Sequence, residues 1–127
     1  MSDSRSAVIR VGGESYELIL TTRATKEIAA RYGGLQNLGE KLLKSENMEM
    51  ALDEIVWLLT LLANQPILIY NLRHRDDPKP LLTAEEVELL TVPSDLAEYR
   101  EALTEAMYRG TKRNVVSEDA GKNTLAG

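Results

Sequence analysis

The stretch IRVGGESYELILTTRATKEIAARYGGL, from Ile9 to Leu35, decides the fold. Gly12 and Gly13 separate two short runs, AVIRV and SYELIL. A two-residue Gly-Gly loop suits the primed turns of a β-hairpin, where the central residues need positive φ. That loop length sets the register, with Ile9 opposite Tyr16 and Ala7 opposite Leu18. Tyr16, Leu18 and Leu20 then share one face of the ribbon, and Glu17 and Ile19 take the other. A lone hairpin is only marginally stable. The hairpin is therefore expected to lie on helices or to pair with another chain.

The second half of the stretch reads as a helix. Thr21 or Thr22 is placed to cap it. Ala24, Ile28 and Tyr32 recur at four-residue intervals and define its apolar stripe. Gly33-Gly34 supplies the usual C-terminal stop. Working outward, Leu35, Leu38 and Leu42 mark a short helix. The strongest helical pattern runs from about Asn47 to Asn64, and Leu52, Ile55, Val56, Leu59, Leu62 and Ala63 form its stripe. Gln65-Pro66 is expected to restart a helix through Leu72, with proline at the first position. RHRDDPKP, residues 73–80, reads as an exposed loop. Thr83 and Glu86 have the spacing of a capping box. Ser94 or Asp95 is expected to cap a last helix with Leu96, Tyr99, Leu103, Ala106 and Met107 inside. Gly110 is expected to stop it.

The expected architecture is α+β and predominantly α-helical, an N-terminal β-hairpin packed on a bundle of about five helices. One domain, residues 7–110, is expected between a flexible N-terminus, 1–6, and a flexible C-terminal tail, 111–127.

Composition bounds the function. The 127 residues carry a net charge of -5, which argues against a general nucleic-acid or anionic-membrane binder. There is no cysteine, which excludes disulfides and thiolate metal sites. The N-terminus MSDSRSAVIR lacks the apolar core of a secretory signal. The run IVWLLTLLANQPILIYNL, Ile55 to Leu72, is uncharged and approaches a membrane span in length. Asn64, Gln65 and Pro66 fall in its middle, which favours a buried central helix instead.

Reactive groups are sparse. His74 is the single histidine and sits among charges in RHRDD. Asp76 and Asp77 are the nearest carboxylates for a cation, but two adjacent aspartates are a small donor set. Of Glu85, Glu86 and Glu88, two fall in the first turn of a helix, where they suit its macrodipole. Neither Gly-Gly pair has the spacing of a phosphate loop. No catalytic residue, metal site or cofactor is expected. Arg73, His74 and Arg75, with Lys112 and Arg113, are small basic clusters on an acidic chain. They are the candidate protein-contact residues, as the charged rim of an interface. The hairpin edge, which is able to add a strand, is a further candidate.

The order V-GG-ESYELIL followed by TTRATKEIAARYGGLQNLGEKL resembles the tail assembly chaperones of long-tailed bacteriophages and related gene-transfer-agent tail proteins. WLLTLLANQ, LLTAEEVELL and DLAEYREALTEAMYRGTKRN are similar to versions from phages of clostridia-like hosts. The resemblance covers about Val8 to Val116 and involves no catalytic signature. It implies a non-enzymatic protein of the host bacterial cytoplasm. Such a protein coats the phage tape measure protein, promotes assembly of tail tube protein around it, and is not retained in the mature virion. It also implies two lengths of product through a ribosomal frameshift. Codons GGA-AAA-AAC for Gly121, Lys122 and Asn123 would hold a slippery run. The alternatives are a structural tail protein retained in the particle, and an enzyme or ligand module built around His74 with Asp76 or Asp77.

Overall fold

The computed structural model describes the backbone of residues 6–34 and 48–122, and the side chains of residues 7–34 and 52–110. Strands β1 (Ser6–Val11) and β2 (Glu14–Ile19) form a two-stranded antiparallel sheet. The register is the expected one: Ile9 opposes Tyr16 and Ala7 opposes Leu18. Gly12 and Gly13 turn the hairpin at φ 60° and 86°. Gly12 also lies against Leu90, whose Cδ1 would be 2.9 Å from an added Cβ. Ile9, Val11 and Leu18 are buried on the inner face, whereas Val8 on the outer face is exposed. Ile19 lies on the outer face and is nevertheless buried, outside the main core cluster.

Four helices follow among the described residues: α1 (Thr22–Tyr32), α2 (Met48–Arg73), α3 (Ala84–Leu90) and α4 (Pro93–Lys122). The expected short helix on Leu35, Leu38 and Leu42 lies outside the described residues. The molecule is thus predominantly helical with one N-terminal hairpin, as expected, with β2 lying over α2 and β1 over α4.

Thr21, not Thr22, caps α1, accepting from the Ala24 N–H at 3.1 Å. Ala24, Ile28 and Tyr32 are its buried stripe. Its C-terminal end is fixed to the start of α2. The Tyr32 hydroxyl donates to Glu54, Arg31 pairs with Glu54 at 3.4 Å, and the Tyr32 and Trp57 rings meet edge to face at 5.8 Å. Arg31 also lies over Trp57, 4.5 Å from its ring centre, in cation–π contact.

Helix α2 is the centre of the core. Ile55, Leu58, Leu59 and Leu62 are almost fully buried, each contributing about 1.5–3 kcal/mol relative to exposure. By length and composition, Leu52–Arg73 would suffice to cross a membrane. Here it packs the hairpin and the other helices. The expected break at Pro66 does not occur, since the helix continues through it to Arg73. Proline removes one ladder hydrogen bond and crowds the preceding turn. Leu59, Leu62, Ala63 and Gln65 anchor the helix in the core before Pro66, and beyond it Asn71 ties the helix to Lys79. Next to Pro66, buried Gln65 donates to the Leu61 carbonyl at 2.9 Å and accepts from the Thr21 hydroxyl at 2.6 Å.

Residues 78–83 form a non-helical strap along α2. The Asn64 side chain donates to the Leu82 carbonyl at 2.8 Å and accepts from the Leu82 N–H at 2.7 Å. Asn71 does the same to Lys79, at 3.0 and 2.8 Å. Seven helical residues rise about 10.5 Å. Three extended residues span about 10 Å. The two asparagines are therefore in step with the strap, which runs antiparallel to the helix. The capping box of α3 is present, with Thr83 accepting from the Glu86 N–H at 3.1 Å and its own N–H donating to Glu86 Oε1 at 2.9 Å.

Two expectations about the last helix are corrected. It starts at Pro93, so neither Ser94 nor Asp95 is its N-cap. Proline's fixed φ suits the first helical position. Asp95, inside the first turn, accepts from the Val92 N–H at 3.0 Å. Nor does Gly110 end the helix, whose backbone continues to Lys122. A Cβ at Gly110 would lie 2.7 Å from Leu20 Cβ. Glycine is there because α4 passes close to the end of the hairpin.

Candidate functional site

The basic cluster at the end of α2 divides. Arg73 is the last helical residue and is exposed. His74 folds back on its own helix: its Nδ1 lies 2.9 Å from the Tyr70 carbonyl and its ring stacks on Tyr70 at 4.0 Å. Lys79 lies over the same ring, 4.3 Å from its centre. His74 is thus engaged in holding the helix end, while the Tyr70 ring carries the contact to Lys79 of the strap. Asp76 and Asp77 are exposed beside it. Among the described residues no three histidines or carboxylates gather as a metal site.

Arg75 turns to another feature, a groove of about 400 Å³ between the end of α2 and the start of α1. Leu68, Ile69 and Leu72 give it an apolar lining, and Arg23 and Arg75 a cationic one. Thr21 and Gln65 also line it. Leu72, in the last turn of α2, is 61% exposed, one of several exposed large hydrophobic residues among which Leu89 reaches 75%. Neither arginine has an ion-pair partner among the described residues. Sequence reading overlooked Arg23, although one signal was there. The first turn of α1 has no acidic residue and carries a cation instead, against the preference of the macrodipole.

The other grooves differ in charge. One of about 410 Å³ lies between β1 and α4, with Asp95 and Glu98 in its lining beside Arg10. One of about 470 Å³ lies between β2 and the strap, with Glu14, Glu17 and Glu86 beside Lys79. A third, of about 230 Å³, includes Asp53 and Glu88. Their acids act on nearby tyrosines. Burial first, then Asp95 and Glu98, raises the Tyr99 hydroxyl above its ordinary value. Burial first, then Glu14 and Glu86, does the same to Tyr16. Of these four grooves, only the one holding Arg23 and Arg75 has cations and no carboxylate in its lining.

The hairpin edge is partly occupied. The Tyr99 hydroxyl donates to the Arg10 carbonyl on the outer side of β1. Strand addition there would have to displace it. Lys112 and Arg113 lie on the helical backbone just beyond Gly110, and their side chains are outside the description. Gly110 itself packs on Leu20, the neighbour of Thr21, which lines the cationic groove.

No protein family, curated protein or solved structure matches the chain.

Proposed function

We propose that this protein is a non-enzymatic tail assembly chaperone of a long-tailed phage or prophage, acting in the host cytoplasm on the tape measure protein and promoting tail tube assembly. The order of a Gly-Gly hairpin, a threonine-capped helix and a glycine stop carries this reading, through its resemblance to those chaperones. The grooved surface supports it. A coat on a long helical partner needs repeated modest contacts, and multivalency makes modest affinity sufficient. The net charge of -5 favours solubility of a crowded assembly.

Co-expression tests the proposal. The tape measure protein from the same genome is expected to be soluble with this chain and aggregated without it. Equal aggregation in both cases overturns the reading. Abundant copies of this chain in purified mature tails, measured by mass spectrometry, would replace it with a structural tail protein.

A further inference from the structure

The groove between α1 and α2 has a chemistry that specifies its occupant. Leu68, Ile69 and Leu72 offer apolar contact in a groove of about 400 Å³. Arg23 and Arg75 flank that contact without carboxylate partners among the described residues. On a chain with five more acids than bases, two unpaired guanidiniums beside exposed leucine are a local reversal of sign. The N-terminus of α1 adds partial positive charge at the same place, because only the Ala24 N–H of its first turn is capped by the Thr21 side chain.

We infer that this groove docks an amphipathic helix of a partner protein that carries carboxylates beside its apolar stripe; the inference rests on the reading of the chain as a coat for a long helical protein. Leucine-type side chains at helical spacing enter between Leu68, Ile69 and Leu72. Glutamate or aspartate on the flanks meets Arg23 and Arg75 in charge-assisted, bidentate contacts. A basic helix is rejected, since its cations would face two arginines and a helix N-terminus. The acidic linings of the other three grooves disfavour the same occupant.

A designed peptide of about 20 residues serves as the probe, long enough to be helical when bound. It carries leucines at i, i+3, i+4 and i+7 with flanking glutamates, and a control replaces each glutamate by lysine. In methyl NMR of the full chain, the glutamate peptide is expected to shift Leu68, Ile69 and Leu72, and to bind about tenfold or more tightly than the lysine peptide. Charge reversal by Arg23→Glu with Arg75→Glu, both at exposed positions, should invert that preference. Equal binding of the two peptides, shifts confined to another surface, or no shift at all overturns the inference. Shifts at these three residues that follow the concentration of the chain alone also overturn it, because a second copy is then the occupant. Co-expression with the tape measure protein separates the two levels. If the native chain and the charge-reversed variant solubilise it equally, the groove assignment fails and the chaperone reading stands. If the native chain does not solubilise it, the chaperone reading itself fails.

Discussion

Asn64 and Leu82 exchange two hydrogen bonds, one in each direction, across 18 residues of sequence. The side-chain amide of Asn64 acts as a peptide group, presenting a donor and an acceptor to the main chain of the strap. Replacing it by alanine would leave a donor and an acceptor of nearly buried Leu82 without partners. Asn64→Ala is expected to lose about 2–3 kcal/mol. Asn71→Ala, at the more exposed contact, is expected to lose about 1 kcal/mol. Urea unfolding measures both, and hydrogen exchange at Leu82 and Lys79 localises them. Equal losses at the two positions would mean that burial does not set the strength of the clasp.

Gly110→Ala distinguishes a packed helix from a helix end. In an exposed helix interior, alanine gains about 1 kcal/mol over glycine. Here the added methyl would stand 2.7 Å from Leu20 Cβ. The expected result is a net loss of about 1–3 kcal/mol from overpacking. Leu20→Gly in the same chain, which removes the opposing Cβ, should recover part of the Gly110→Ala penalty in a double-mutant cycle. A stabilised single variant would show that α4 does not press on the hairpin at this point.

Thr21 holds two structures together. It caps α1 and donates to Gln65 inside the core. Thr21→Ser keeps both hydroxyl functions and is expected to stay within about 1 kcal/mol of the native stability, whereas Thr21→Val should lose about 2 kcal/mol. Thermal unfolding compares them. Indistinguishable melting of the two variants would remove the hydroxyl from the account.

Alkaline pH should loosen the contact between α1 and α2. Burial, then its hydrogen bond to Glu54, pushes the Tyr32 hydroxyl from 10.0 up to about 12. The raised value means that the folded state holds the proton more tightly than the unfolded one. The associated stability is complete below pH 10 and is lost as pH rises toward 12. The loss is on the order of 2 kcal/mol. Tyr16 and Tyr99 are raised in the same direction. Tyr32→Phe is therefore expected to flatten the fall of stability above pH 10 without abolishing it. An unchanged slope in urea titrations across this range would assign the effect elsewhere.

The hairpin is legible in the sequence because a two-residue Gly-Gly loop leaves one register for the flanking strands. The Thr83–Glu86 box is legible because both partners lie within one turn. Pro66 and Gly110 are read wrongly for a shared reason. Each is a local breaker by propensity, which is a weak prior blind to tertiary contacts, and in each case the helix runs on through it. Pro66 stays helical inside the central helix, and Gly110 answers to Leu20, 90 positions away. Arg73, His74 and Arg75 are visible as a basic run, but only the fold separates His74, stacked on Tyr70, from Arg75, which faces the groove with Arg23. Their distance in sequence conceals that last pairing.

Asn64 and Asn71 hydrogen-bond to main-chain atoms of the strap. Leu82 is fixed by burial, and Lys79 by its place over Tyr70. Pro80 and Leu81, both exposed, answer to neither constraint. The clasp therefore makes no side-chain demand on Leu81, whereas Pro80 still holds clasped Lys79 in extended backbone. Leu81 is an exchangeable position, where surface character can be rewritten by design while the scaffold beneath keeps its shape.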